Sequence, residues 1–213
     1  MHIMKQARLD QLADGIFAIV MTLLAIEIHV PFLTGTITNG TLLQSLFSLT
    51  PLFLSYALSF LLLFTYWRGH HYIASVLAQS IDNRLTTINA FFFLSVGLIP
   101  FSTLLLGRYF FTQTAIVAYG INIIVTGLLL YWMRQYILSA PTIVNQELTP
   151  TLLQHGTIRI LFPVAAAIVA IVLSFVSIQL SLVLFTLCIL FNLSSRSTTL
   201  FLRFFPNSFL RNL

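Results

Sequence analysis

A chain of 213 residues that is 58% hydrophobic and only 7% charged, with a mean hydropathy of +0.98, excludes a water-soluble domain with an ordinary charged surface. It is the composition of an integral membrane protein. Ten basic and five acidic side chains are too sparse for a nucleic-acid-binding face, so the pI of about 9.8 reflects membrane topology and no nucleic-acid partner is expected.

About 20 apolar helical residues at 1.5 Å each cross a hydrocarbon core roughly 30 Å thick. Six such stretches are predicted, at about 10–30, 46–67, 86–106, 115–137, 158–177 and 179–195, forming one all-α transmembrane domain over residues 1–213. The first follows a short basic N-terminus like a signal peptide. However, Asp10, Asp14 and Glu27 interrupt it and no A-x-A-like site precedes Pro31, so it is expected to persist. The loop from Pro31 to Gln44 is uncharged, and its Asn39-Gly40-Thr41 matches a glycosylation acceptor, a three-residue pattern common by chance. The nearly unbroken apolar run from Ile160 to Leu193 is too long for one span and predicts a tight hairpin. The stretch Ser194–Leu213 mixes Arg196, Arg203 and Arg211 with Phe and Leu, as a segment at the inner membrane surface or an extension of the sixth helix would.

Lys and Arg collect on the cytoplasmic side of short loops. With six spans and both termini cytoplasmic, Lys5, Arg8, Arg68, Arg84, Arg134, Arg159 and the C-terminal arginines all fall inside, and only Arg108 falls outside. The expected localisation is therefore a multi-pass protein of the cell membrane.

The first span differs from the others because Arg8, Asp10, Asp14 and Glu27 lie at or within it. Ionisable groups there are expensive and point to function. At 100° per residue, Leu12, Gly15, Thr22, Leu23, Ile26 and Val30 lie within about 60° of Ile19, whereas Asp10 and Asp14 point the other way. This apolar stripe with one hydroxyl either packs on another helix or lines a pore whose polar back anchors the helix in its own subunit.

The run from Arg8 to Gly15 resembles the RxxxFSDG signature of the transmembrane protein 175 family of potassium channels, particularly its bacterial branch. Arg8, Asp14 and Gly15 match, while Leu12 and Ala13 stand where the family has Phe and Ser. Ala18–Ile28 is similar to the family's continuation, and Trp67, His70-His71, Asp82, Asn89 and Pro100-Phe101 with Thr103 resemble further landmarks in the same order. The resemblance covers roughly residues 8–104. It implies a homotetramer of six-helix subunits around a potassium-selective pore lined by the first helix. Carried over by position, the constriction would be rings of Ile19, Leu23 and Ile26 with a Thr22 layer. Potassium would be the permeant ion, and no other cofactor is implied.

A ring of Ile and Leu offers a cation no ligands, so passage requires loss of hydration or transient widening, and such a ring also gates by dewetting. Glu27, about 80° off the stripe, either concentrates cations at the mouth or is a solvated helix-end residue. Arg8 and Asp14 are six residues apart, too far to pair along one helix, so Asp14 is expected to accept from Trp67, His70, His71 or Asn89. His70 and His71 point about 100° apart and do not form a chelating pair. Cys188 is the single cysteine, His29 and His155 are isolated, and no nucleophile elbow or HExxH occurs; neither a metal site nor an enzyme is expected. The rival reading is a proton-coupled secondary transporter that titrates Asp14 and Glu27, but such carriers show broken helices and repeats, which are not visible here.

Overall fold

The computed structural model describes residues 6–145 and 150–193, with the backbone alone for residues 6 and 150–155. The chain runs through α1 (Gln6–Ile26), α2 (Asn39–Ser48), α3 (Thr50–Tyr72), α4 (Asn83–Gly97), α5 (Ile99–Arg108), α6 (Gln113–Ser139), α7 (Pro150–Ser174) and α8 (Ile178–Leu193). Among the described residues there is no strand, only an isolated bridge between Ala78 and Val144.

Five helical stretches are long and apolar enough to cross a membrane: Ala7–Ile26, Thr50–Leu77, Asn83–Arg108, Gln113–Ser139 and Gly156–Ser174. Large apolar side chains such as Leu54, Leu94, Phe101 and Val172 are exposed on them, as lipid-facing positions require. The chain is a multi-pass membrane protein. The sixth expected span corresponds to α8, whose 16 residues reach about 24 Å and are shorter than the expected stretch. Lys5 and the segment 194–213 with its three arginines lie outside the described residues.

Several boundaries differ from the sequence expectation. Helix α1 stops at Ile26, with a tight turn from Ile28 N to Ala25 O at 3.1 Å, so Glu27 and Val30 are not helical. Pro31 follows, and it disfavours helical geometry at the residue before it. The third span is divided at Leu98 into α4 and α5, because Pro100 lacks the N–H that would bond Val96 O and its ring crowds that carbonyl. Helix α3 continues through a π-helical turn, Ile73–Leu77. The 31–44 loop also contains the start of α2, which Thr38 opens by a reciprocal cap: Thr41 N donates to Thr38 Oγ1 at 3.2 Å and Thr38 N to Thr41 Oγ1 at 3.0 Å. Asn39 is the first residue of that helix.

The apolar run from Ile160 onward folds back on itself after Ser174. Ser181 Oγ donates to Ala170 O at 2.8 Å and Asn192 Nδ2 to Arg159 O at 3.0 Å, which fixes α7 and α8 as an antiparallel pair. Several hydroxyls buried among α3, α5 and α6 are likewise satisfied in place. Thr103 Oγ1 donates to Ile99 O at 2.7 Å and lies 2.7 Å from Ser59 Oγ, Ser59 Oγ lies 3.0 Å from Tyr119 OH, and Tyr66 OH donates to Ile123 O at 2.9 Å. In a medium without water such internal partners are obligatory.

Helix α6 meets α7 at two glycines spaced seven residues apart. A Cβ at Gly120 would lie 2.8 Å from Ile171 Cγ1, and one at Gly127 would collide with Val164 Cγ2. Small residues there let the helix axes approach, and overpacking such a seam costs about 1–3 kcal/mol. Gly120→Val is therefore expected to lower the thermal unfolding temperature in detergent by several degrees, whereas Ile121→Val, on the exposed side of the same helix, is expected to leave it unchanged.

Candidate functional site

Helix α1 presents two unlike faces. Leu9, Ala13, Phe17, Val20 and Leu24 are all buried at 5% exposure or less and form its contact with the bundle. Their spacing of three and four residues keeps them on one side of a 3.6-residue helix. On the other side, Leu12, Ile19, Leu23 and Ile26 are 48%, 60%, 42% and 65% exposed. Gly15 and Thr22 lie on the same exposed side. The stripe isolated on the wheel therefore faces away from its own subunit.

Thr22 has an additional feature. Its Oγ1 donates to Ile19 O at 2.8 Å, so the hydroxyl proton is committed to the helix and the oxygen lone pairs remain available as acceptors. At Gly15 a Cβ would find nothing within 4 Å, so no contact inside the subunit requires a glycine there. Because glycine in mid-helix costs about 1 kcal/mol relative to alanine, the subunit itself leaves that cost without an offset.

The anchoring of α1 has two separate parts. On its polar side, Trp67 Nε1 donates to Asp14 Oδ1 at 2.8 Å, and the Trp67 indole stacks on His71 with ring centroids 5.9 Å apart. Asp14 is exposed, so this is a bond at the rim of the helix contact rather than in its core. Inside, the Phe17 ring sits 6.4 Å from His70 and 6.1 Å from Phe92. His70 stacks on Phe92 at 5.4 Å and lies 5.3 Å from Phe93.

His70 is 1% exposed and needs a partner. Asn89 Nδ2 donates to Leu85 O at 3.0 Å, which turns its Oδ1 toward His70 at 2.7 Å, so His70 Nε2 carries the proton of that bond. Of the partners considered for Asp14, the fold thus delivers Trp67, while His70 and Asn89 satisfy each other. Arg8 is exposed, and Glu27 lies past the last turn of α1 in a cleft with His29 and Arg108, off the stripe. No group of three or more His, Cys, Asp or Glu suited to a metal is found among the described residues. The side chain of His155 lies outside them.

The sequence pointed neither to Phe17 nor to the contacts that Asp82 makes. Phe17 is the aromatic wedge of the inner contact, and its only signal was its place three residues after Asp14, on the wheel face opposite the stripe. Asp82 caps α4 through Leu85 N at 2.7 Å, accepts from Tyr136 OH, and lies near Arg84, whose guanidinium stands 5.0 Å over the Tyr136 ring. It ties the start of α4 to the end of α6, a long-range pairing that no local pattern encodes.

The family model described as the endosomal/lysosomal potassium channel TMEM175 matches residues 8–100. A protein of Chamaesiphon minutus named as a potassium channel is 32% identical over 194 residues, 89% of this chain and 95% of its own length. This chain belongs to the TMEM175 family. A Chryseobacterium protein, also named as a potassium channel, is 28% identical over 125 residues, covering 59% of this chain and 61% of its own. The crystal structure of a homologue of the lysosomal potassium-selective channel TMEM175, from Chamaesiphon minutus, matches with a TM-score of 0.68 and 27% identity over 90% of this chain and 97% of that one. These relatives are named as channels, not enzymes. The segment shared with the TMEM175 model begins at Arg8 and so includes every residue of the stripe and of both anchors.

The inner anchor is open to direct test. Asn89→Leu leaves the buried His70 N–H without an acceptor and is expected to destabilise the protein by about 1–3 kcal/mol. Combining it with His70→Phe is expected to restore part of that loss. Thermal unfolding of the two single variants and the double variant measures the coupling, and additive losses would show that the pair does not act as a unit.

Proposed function

We propose that the protein is a homotetrameric, potassium-selective cation channel whose pore is lined by α1 of each subunit. The observation that carries this reading is the bare stripe of Ile19, Leu23 and Ile26, turned away from the bundle that buries the opposite face of the same helix. A lipid-facing stripe would also be apolar, but it would explain neither Gly15, which nothing in the subunit crowds, nor the acceptor oxygen of Thr22 in the middle of the stripe. Close approach of neighbouring copies of α1 around an axis explains both. The naming of the relatives as potassium channels supports the same reading. In this arrangement six crossings of the cell membrane, with α8 as the sixth, leave both termini in the cytoplasm.

The chemistry follows from the side chains. Rings of Ile19, Leu23 and Ile26 supply no oxygen to a cation, so an ion crossing them sheds part of its hydration. Potassium yields its water at lower cost than sodium, which gives a modest preference. Thr22 lies between the Ile19 and Leu23 levels, and its acceptor oxygens partly replace the lost water there. The same constriction closes by dewetting when it narrows. No cofactor other than the permeant ion is required. A proton-coupled carrier is not favoured, because α1 runs from Gln6 to Ile26 without the midplane break such carriers use.

Leu23→Ser is expected to raise potassium flux into liposomes and to erode the preference over sodium. Unchanged flux and preference would remove Leu23 from the constriction. Independently, Ile19→Cys in a Cys188→Ala background is expected to give covalent dimers under mild oxidation in membranes. Persistently monomeric bands would place the stripe against lipid. The native cysteine is buried, and removing it leaves residue 19 as the only thiol.

A further inference from the structure

Just beyond the C-terminal end of α1 a cleft of about 270 Å³ opens against the start of α3 and the end of α5. Glu27 and His29 reach it from the segment after α1, and Arg108 from the last residue of α5. Pro51, Leu52 and Phe110 supply apolar lining. Gly107 makes the arrangement possible: a Cβ there would lie 2.7 Å from Leu52 Cδ1 and 3.1 Å from Leu52 Cα, so α5 rests directly on the first turn of α3 and carries Arg108 to the cleft. The volume is small for a drug-sized ligand and suits a compact polar group.

Its depth in the membrane is set by its neighbours. The apolar spans end here, and Arg108 is followed by Tyr109, Phe110 and Phe111, all exposed. Aromatic side chains gather at the level of lipid headgroups, so a lipid can present its polar end to this cleft while its acyl chains stay against the exposed apolar helices.

The donors and acceptors then select among headgroups. Arg108 offers a planar fork of N–H donors suited to a phosphate. The carbonyl of Glu27 can only accept, so His29 Nδ1, 3.0 Å from it, carries the proton and leaves Nε2 as an acceptor. Together with the Glu27 carboxylate this gives the cleft acceptors for a primary ammonium, which has three N–H donors. A trimethylammonium has none, and a glycerol headgroup brings no cation to meet Glu27.

We propose that this cleft binds the phosphoethanolamine headgroup of a membrane phospholipid, with the phosphate on Arg108 and the ammonium on Glu27 and His29. The assignment needs only a membrane location, and its readout is bound lipid rather than current, so it stands or falls separately from ion conduction.

The test uses the purified full chain in nanodiscs of phosphatidylcholine doped with phosphatidylethanolamine or phosphatidylglycerol, with retained lipid counted by native mass spectrometry. Phosphatidylethanolamine is expected to be retained about tenfold over the other two. Glu27→Gln is expected to reduce that preference to the phosphatidylcholine level, and Arg108→Gln to abolish retention of all three. Arg108→Lys, which keeps the charge, is expected to keep the ethanolamine preference and controls for folding. Equal retention of the three lipids, or a preference untouched by Glu27→Gln, would overturn the proposal. So would displacement of the lipid by soluble glycerophosphoethanolamine at equal concentration, because the ligand would then be a free solute.

Discussion

A single helix with two apolar faces, only one of them satisfied, sets the terms for the rest of this structure. Burial of Leu9, Ala13, Phe17, Val20 and Leu24 fixes the rotation of α1 about its own axis. Once that rotation is fixed, Ile19, Leu23 and Ile26 have nowhere to point but outward. In water an exposed stripe of this size would drive aggregation, but in a membrane it is tolerated against lipid or against another copy of itself. The stripe also carries a glycine that nothing in the subunit crowds and a threonine whose proton is already donated to its own helix.

The anchors of that rotation combine two physical effects at different depths. Inside, the Phe17 ring closes against His70 and Phe92, and the hydrogen bond between His70 and Asn89 fixes the imidazole plane on which this aromatic packing depends. At the rim, Asp14 accepts from Trp67, which is itself backed by His71. A carboxylate at the rim keeps access to polar surroundings, so it avoids the desolvation that a buried charge would meet. The division of labour places neutral hydrogen bonds in the core and the charge at its edge.

The same economy of polar groups recurs through the bundle. Hydroxyls of Ser59, Thr103 and Tyr119 pair with one another, Ser181 and Asn192 bond backbone carbonyls of α7, and the two glycines of α6 admit Ile171 and Val164. These contacts hold α3, α5, α6, α7 and α8 as a scaffold against which α1 is positioned. Beyond the far end of α1 lies the cleft lined by Glu27, His29 and Arg108.

Composition and apolar run lengths alone marked this as a multi-pass membrane protein, because helices in lipid must satisfy their own backbone and so announce themselves by length. The 3.6-residue period also separated the stripe on α1 from its opposite face. What the period does not carry is which face the bundle buries, since both are apolar; that was decided by the ring of Phe17 meeting His70 and Phe92 from two other helices. The partner of Asp14 was likewise undecided among four side chains until α3 placed the Trp67 indole within 2.8 Å of it. Ends set by short-range geometry, such as the stop at Ile26, the division at Leu98 and the cap at Thr38, lie between these cases. Their residues are visible in the chain, but whether a proline bends a helix or ends it depends on the neighbours that receive the freed carbonyls.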